Sequence, residues 1–343
     1  MLKICSYEIQ GKTHQTTDTV CQDKTFSLVK NSTTSIALAD GAGSAQFSDV
    51  GAIVAVETIC EYFSDNFKEV FDNNDGIEVK RNIIMVIRGA LEEKSKEIGC
   101  KITDLASTLL SVAINNNSVI AVHIGDGLIG YVKDDNLKVV SQPITGEYLN
   151  ETTFVTSSDA LSNMVIVKGN TTGISGFVLM SDGSAESFYN RNDKTIAPAV
   201  KRLIEGTAIL TEKVIYQQIH KIFTKIITKK TGDDCSIAII AFTDVVDIFK
   251  LDYRNLCILL HVDYNNLKHS KKLVKNYLRI IKQLVTDGDP RSVSKKTQID
   301  IGNIKKKLRY LESIGIVVND RGAYRLSNIN NASIDKNNGG CCE

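Results

Sequence analysis

Apolar runs that end in an Asp-Gly pair occur three times in this chain of 343 residues, and they constrain how it can fold. The aspartates are Asp40, Asp126 and Asp182. A buried strand that ends in Asp-Gly brings one carboxylate to a point where the backbone turns sharply. A single pair of this kind is typical of a β-turn or a helix N-cap. Three pairs in similar settings instead predict one shared site.

Two further aspartates stand beside predicted strands: Asp23 precedes one, and Asp234 opens another. Hard cations such as Mg²⁺ and Mn²⁺ prefer oxygen ligands and usually keep several waters. Carboxylates from distant loops at one end of a sheet suit a dinuclear site, and neighbouring glycines let a backbone carbonyl approach. The sequence therefore predicts a metal centre. The five histidines do not have the spacing of zinc ligands.

The order of the predicted elements indicates the fold class. Helical spacing of apolar residues predicts a long helix from about 49 and a second over 77–98. The other predicted strands and helices are, in order, strands at 36–39, 107–115, 118–124, 128–132, 137–140, 164–167 and 176–180, helices at 184–189, 196–205 and 212–227, and a strand at 235–242. Clustered strands with clustered helices favour an α+β fold in which helices flank an antiparallel β-sandwich, rather than a parallel doubly wound fold.

The chain changes character after residue 243. An amphipathic helix over 267–285, a helix over 301–311 and a hairpin over 316–326 have the outline of a winged helix. Its basic residues are Lys295, Lys296, Lys305, Lys306, Lys307, Arg309, Arg321 and Arg325. They suit either DNA phosphates or a solvated face of a protein-interaction module, and few residues are of the kinds that read bases. We predict domains at 1–243 and 253–327, followed by a disordered tail at 328–343.

Composition excludes several classes of protein. The formal net charge is +1, so nucleic acid or membrane binding would need a local patch. Apolar runs fall short of the roughly 20 residues that span a bilayer, and the first residues do not resemble a signal peptide. The eight cysteines are scattered and form no Cys-x-x-Cys pair. We therefore expect a cytoplasmic protein with reduced thiols.

The motifs together resemble those of metal-dependent serine/threonine phosphatases of the protein phosphatase 2C family, over roughly residues 1–242. Five ordered matches carry the resemblance: Ala39-Asp40-Gly41-Ala42-Gly43, Ala106-Ser107-Thr108, Gly125-Asp126-Gly127, Ser181-Asp182-Gly183 and Asp233-Asp234-Cys235-Ser236. The last resembles the family's Asp-Asn-x-Ser/Thr motif. Gly11-x-x-His14 followed by Cys21-Gln22-Asp23 is similar to a bacterial subgroup with a Cys-Gln-Asp first motif.

The resemblance implies two bound Mn²⁺ or Mg²⁺ ions and a weaker third. Asp40 would bridge two ions, with the Gly41 carbonyl on the second; Asp182 and Asp234 would hold the first. Asp23 would lie beside the second ion, and Asp126 would help bind the third. Asp40, Asp182 and Asp234 would thus be the catalytic residues, acting through a metal-activated bridging hydroxide that attacks phosphorus. The substrate would be a phosphorylated protein. The protein or DNA partner predicted for residues 253–327 rests instead on the winged-helix outline and its basic residues.

Two departures from the family pattern concern the substrate. Asp18 stands where many members carry a phosphate-binding Arg, and His14 would take a similar part, although a structural His is the alternative. Ala42 stands where eukaryotic members carry a candidate general acid. The sequence therefore leaves two hypotheses besides an active phosphatase: a pseudophosphatase that senses a phosphorylated partner, and a DNA-linked regulator.

Overall fold

The computed structural model describes residues 1–142, 152–244, 247–251, 253–263 and 267–327. The chain divides into two compact units. The larger unit comprises Leu2–Ile204 and Gln218–Ala241, and the smaller unit comprises Met1, Glu205–Gln217 and Phe242–Glu343. The tail predicted at 328–343 lies outside the described residues. The domain boundaries 1–243 and 253–327 stay predictions.

The helices and strands follow the predicted order closely. The strands are β1 (Leu2–Ile9), β2 (Lys24–Lys30), β3 (Thr33–Ala39), β4 (Leu109–Asn115), β5 (Ser118–Ile124), β6 (Leu128–Lys133), β7 (Asn136–Ser141), β8 (Val165–Asn170), β9 (Ile174–Met180), β10 (Tyr189–Asn190), β11 (Thr195–Ile196), β12 (Cys235–Phe242), β13 (Val317–Asp320) and β14 (Ala323–Leu326). The helices are α1 (Lys12–Thr17), α2 (Ser48–Asp72), α3 (Gly76–Ile98), α4 (Ala160–Asn163), α5 (Asp182–Phe188), α6 (Pro198–Ile209), α7 (Glu212–Lys225), α8 (Tyr253–Leu259), α9 (Leu267–Leu284), α10 (Pro290–Thr297) and α11 (Ile301–Ser313).

Two five-stranded sheets form the centre of the larger unit. One has the strand order β2-β3-β4-β5-β8 and the other the order β1-β12-β9-β6-β7. The first sheet is antiparallel throughout, and so are the pairs β12–β9, β9–β6 and β6–β7. Strands β4 and β5, predicted at 107–115 and 118–124, pair as a hairpin: Asn115 pairs with Ser118, and Asn116 takes a left-handed φ of 52° in the turn.

Helix α2 covers one face of the first sheet, α3 packs against α2 and contributes to the same apolar core, and β9 of the other sheet lies against the sheet's other face. All seven residues of β3 are therefore buried. Because side chains alternate along a strand, Ala37 and Ala39 pack against the helices, while Ile36 and Leu38 face the second sheet. The predicted α+β class, an antiparallel β-sandwich flanked by helices, is confirmed.

Two short helices stand where turns or loops were expected. Helix α1 lies in the segment 11–23, which looks turn-rich in the sequence. Helix α10 lies between the helices predicted at 267–285 and 301–311. Its N-cap Asp289 accepts a hydrogen bond from the Ser292 N–H at 2.9 Å, and Pro290 is at its first position. An Asp followed by Pro is a known helix-start signal, so α10 was predictable.

Within the smaller unit, residues 253–327 form α8, α9, α10 and α11 followed by the hairpin β13–β14, and α8 and α10 were not predicted from the sequence. A winged-helix identity for it stays a prediction. Within the described part of the chain, none of the helices combines the length and apolar character needed to cross a membrane. The described cysteines are all free.

Candidate metal centre

Asp40 follows β3 directly, and its backbone is fixed from both sides. The Asp40 N–H donates to Thr108 Oγ1 at 2.9 Å, and the Thr108 N–H donates to the Asp40 carbonyl at 2.8 Å. Gly41 forms a β-bridge with Ser107. A Cβ on Gly41 would come within 2.8 Å of Ser48 at the start of α2, so only glycine permits this approach. The Asp-Gly pair therefore places its carboxylate where strand β3 meets helix α2.

Asp126 lies in the turn between β5 and β6. Gly125 before it has φ of 115°, and a Cβ there would lie 2.5 Å from Thr108 Cγ2. The same threonine thus contacts both the Asp40 and the Asp126 turns. Asp126 Oδ2 accepts a hydrogen bond from Thr152 Oγ1 at 2.6 Å, which fixes one of its two oxygens.

Asp182 is the first residue of α5, directly after β9, and its Oδ1 accepts a hydrogen bond from the Gly183 N–H at 2.5 Å. Asp40, Asp126 and Asp182 each offer a carboxylate oxygen within 4.8 Å of the others. These are the three Asp-Gly aspartates of the sequence. Their turns, separated by up to 142 positions in the chain, meet at one point.

Negative charge at this point is not neutralised by any ion pair among the described residues. Burial, followed by the repulsion of neighbouring carboxylates including Asp23, raises the pKa of Asp40 well above its usual value. Burial and the nearby Asp126 raise the pKa of Asp182 to about 6. Each shift expresses the cost of ionising a carboxylate beside others in a site of restricted solvation. A divalent cation would remove that cost.

Asp23 gives the strongest sign that a cation belongs here. It is fully buried, and burial raises its pKa to about 8, although the hydroxyl groups of Ser181 and Ser236 lie close enough to lower it in part. Neither of its carboxylate oxygens has a hydrogen-bond partner of normal geometry among the described residues. Buried charged groups are normally paired or bound to metal. An all-oxygen donor set with unpartnered buried oxygens fits Mg²⁺ or Mn²⁺.

Comparison with known proteins gives the family. The family model described as Protein phosphatase 2C matches residues 10–223. This chain belongs to the protein phosphatase 2C family. A curated relative, serine/threonine-protein phosphatase 3 of Escherichia coli (strain K12), is 29% identical over 163 residues, which are 45% of this chain and 62% of the relative. The chain thus spans less than two thirds of that relative's length.

Solved structures support the same fold. The crystal structure of a bacterial serine phosphatase matches with a TM-score of 0.51 and 13% identity, covering 70% of this chain and 98% of that one. A serine/threonine phosphatase from Staphylococcus aureus matches with a TM-score of 0.50 and 14% identity, covering 71% and 95%. At these identities the likeness shows the fold alone, a protein phosphatase 2C-like sandwich. The Cys-Gln-Asp subgroup stays a prediction.

The predicted ligand Asp234 differs from Asp40, Asp126 and Asp182 in its hydrogen bonding. Its Oδ1 accepts a hydrogen bond from the Gly11 N–H and its Oδ2 one from the Gln22 N–H, both at 2.6 Å. Both oxygens are thus engaged by the backbone of a distant segment. In addition, His14 Nδ1 lies 2.9 Å from Asp234 Oδ2. The Asp234 carboxylate therefore tethers the segment around α1.

Asp233, which was not predicted as a ligand, lies close enough to Asp40 and Asp182 for its charge to act on both. Its charge contributes to the raised pKa of both Asp40 and Asp182, and burial raises its own pKa. Its Cβ lies 3.4 Å from where a Cβ on Gly183 would be. The signal was present in the motif, because the Asp of the family's Asp-Asn pair falls on Asp233.

Sequence reasoning also missed a buried histidine behind the Asp126 turn. His123 Nε2 lies 3.0 Å from the Gly125 carbonyl, and Nδ1 lies 2.7 Å from Ser141 Oγ. Since a carbonyl can only accept, Nε2 carries the proton and the Ser141 hydroxyl donates to Nδ1. Burial lowers the pKa of His123 to about 4, so the ring is neutral near pH 7. The available signal was a polar residue within the apolar run 119–124 of strand β5.

Proposed function

We propose that this chain is a phosphatase that needs Mn²⁺ or Mg²⁺ and hydrolyses phosphoserine or phosphothreonine in proteins. One observation carries the proposal: Asp40, Asp126 and Asp182 bring carboxylate oxygens within 4.8 Å of one another, without a described cation to neutralise them. Membership of the protein phosphatase 2C family supports it. The named activities of the relatives agree with this reaction class.

The proposed ligands follow from where the carboxylates lie. Asp40 and the Gly41 carbonyl would both hold metal. Asp182 and Asp233 would be further ligands, with Asp233 in place of the predicted Asp234. The bound cations would supply Lewis-acid chemistry, activating water and neutralising phosphoryl charge.

The remaining acidic residues have supporting parts in the proposal. Asp23, with both oxygens unpartnered, would be a further ligand, directly or through water. Asp126 would help Asp182 to bind a weaker ion, and the Thr152 hydroxyl orients the Asp126 carboxylate. Thiol chemistry is not needed: burial, followed by repulsion from Asp234, raises the pKa of Cys21 far above neutrality, so it stays protonated.

Substrate contacts are proposed for His14. With Nδ1 turned toward Asp234, the opposite ring nitrogen is the one that would meet a phosphate oxygen. Asp18, at the position of the family's Arg, is an exposed C-cap of α1 with φ of 54° and offers no positive charge. Ala42 is buried and offers no acid, so solvent protonates the leaving group.

The proposed role of residues 253–327 is targeting or regulation. Four helices and a hairpin with many exposed cations support a module that contacts a partner. Two of the basic residues that suit either DNA or a solvated face are engaged within the unit: Lys307 Nζ lies 4.6 Å above the ring of Tyr277, and Lys296 pairs with Asp287 at 3.7 Å. This favours a protein partner over DNA.

Hydrolysis of p-nitrophenyl phosphate tests the proposed activity. We expect turnover with Mn²⁺ or Mg²⁺, none with EDTA, and a loss of at least about 100-fold in Asp40→Asn and Asp182→Asn. Asp65→Asn is the matched control, since among the described residues this exposed carboxylate on α2 pairs with Lys30 and Asn31 and with no other side chain. Metal binding by the folded protein without turnover would refute the enzyme and favour a pseudophosphatase.

A further inference from the structure

Charge is distributed very unevenly along this nearly neutral chain. Residues 242–327 carry 17 Lys and Arg against 9 Asp and Glu, whereas residues 1–241 carry 23 against 29. Helix α9 alone has six of the cations, and it has neither Asp nor Glu. A local excess of one sign in a soluble chain selects partners of the opposite sign and speeds their approach.

Beside α9 the smaller unit has a groove of about 370 Å³ with an apolar floor. Leu256 and Val274 are buried beneath it, and Leu278 is half-buried. Phe249 stands at its rim with 43% of its surface exposed. Tyr253 completes the wall, held by a hydrogen bond between its hydroxyl and that of Ser270. The size and lining are those of a site for apolar side chains.

Cations border the same groove. Lys271, Lys275 and Lys282 line it and are exposed, and none forms an ion pair with the described residues. Lys271 and Lys275 are four apart and thus neighbours on the helix. Arg279 also lines the groove, but its Nη2 donates to the Thr297 carbonyl at 2.6 Å. The described lining includes no carboxylate. Three cations are therefore available to a ligand, above an aliphatic floor.

We propose that this α9 groove (Phe249, Leu256, Lys271, Val274, Lys275 and Leu278) docks an acidic, amphipathic segment of a partner protein. Apolar side chains of that segment occupy the floor, and its carboxylates face the lysines. Charge complementarity selects this occupant over a basic or neutral one. A nucleic acid fits less well, because it has phosphates for the lysines but no aliphatic side chains to fill the floor. The inference rests on the targeting role proposed above and is independent of phosphatase activity.

Peptide selection on the full chain tests this docking surface. A phage library of random 16-residue peptides is selected on the protein and counter-selected on the double variant Lys271→Glu/Lys275→Glu. Enriched peptides are then synthesised with fluorescein, and their binding is measured by fluorescence polarisation. The matched control is Lys305→Glu/Lys306→Glu, the same charge change on exposed residues of α11 outside the groove. Circular dichroism and Tm establish that each variant is folded.

We expect the enriched peptides to be net negative, with apolar residues three or four positions apart. Both Lys271→Glu/Lys275→Glu and Phe249→Ala should weaken their binding at least about tenfold, whereas the control changes it by less than about twofold. Enrichment of neutral or basic peptides, or equal losses in the control, would overturn the proposal. So would a 20-base-pair duplex whose binding depends on the same groove residues. Hydrolysis of p-nitrophenyl phosphate stays unchanged in these variants, so failure here is distinct from failure of the proposed activity.

Discussion

The adjacent residues Asp233 and Asp234, for which we propose different roles, give the most specific prediction. If Asp234 tethers the α1 segment and Asp233 serves the metal centre, then Asn at each position should change stability in opposite directions. The substitutions are isosteric, occur at neighbouring positions and remove the same charge. Any difference between them therefore reports where each carboxylate lies rather than the chemistry of the change.

The expected loss for Asp234→Asn comes from its two backbone hydrogen bonds, to the N–H groups of Gly11 and Gln22 at 2.6 Å. Hydrogen bonds to a charged acceptor contribute about 1.5–3 kcal/mol each. Asn keeps one acceptor oxygen but turns an NH₂ group toward the other donor, so at least one bond is lost. A loss of about 2 kcal/mol lowers Tm by roughly 4–8 °C in a unit of this size.

The expected gain for Asp233→Asn comes from relieved repulsion. Two carboxylates about 5 Å apart repel by about 3 kcal/mol at an effective dielectric constant near 20. Asn can still accept the hydrogen bond that Asp233 Oδ1 receives from the Asp234 N–H at 2.9 Å. The metal-free protein should therefore gain about 1–3 kcal/mol, while its affinity for Mn²⁺ falls because a charged ligand is missing.

Thermal unfolding of both variants in EDTA and in excess Mn²⁺ measures these effects. A cation at about 100 times its Kd stabilises the native state by about 2.7 kcal/mol. We expect Asp234→Asn to lower Tm in EDTA and to keep the Mn²⁺-induced rise, and Asp233→Asn to raise Tm in EDTA and lose most of that rise. The reverse pattern would refute the reasoning and return Asp234 to the metal.

Three further predictions concern the same site. Urea unfolding in EDTA should show the free energy of unfolding rising as pH falls from about 8 to about 5. The pKa values of Asp23 (about 8) and Asp182 (about 6) are raised in the folded state, which therefore binds protons that the unfolded chain releases. A free energy of unfolding that decreases as pH falls over this range would contradict the prediction. Excess Mn²⁺ should flatten that pH dependence, since the cation replaces the protons; an unchanged slope in the same titration would mean that the ion binds elsewhere. Gly125→Ala should lower the free energy of unfolding by about 2–4 kcal/mol and reduce turnover, because its Cβ would lie 2.5 Å from Thr108 Cγ2 at φ of 115°. The control Gly99→Ala, at φ of 73° with open space around it, should cost about 1 kcal/mol. If urea unfolding gave similar losses for both variants, backbone strain alone would account for the effect.

Much of the larger unit could be predicted from local sequence patterns. The helices α2 and α3 and the hairpin β4–β5 follow from apolar spacing and an Asn-rich turn, which act over a few residues. Helix α1 could not be recognised this way. The backbone of its N-cap Gly11 packs against the backbone of Asp233, so closely that a Cβ on Gly11 would lie 2.3 Å from the Asp233 carbonyl. The conformation thus depends on a contact across more than 200 positions.

The sequence alone determined that Asp40, Asp126 and Asp182 end strands at sharp turns, because Asp-Gly after an apolar run specifies that geometry locally. It also determined the family, since five motifs occur in a fixed order. Only the tertiary structure shows that the Asp234 carboxylate accepts hydrogen bonds from the Gly11 and Gln22 N–H groups, and this supports the proposal of Asp233 as the ligand. Those donors lie 223 and 212 positions away. A local pattern contains no information about partners so distant in the chain.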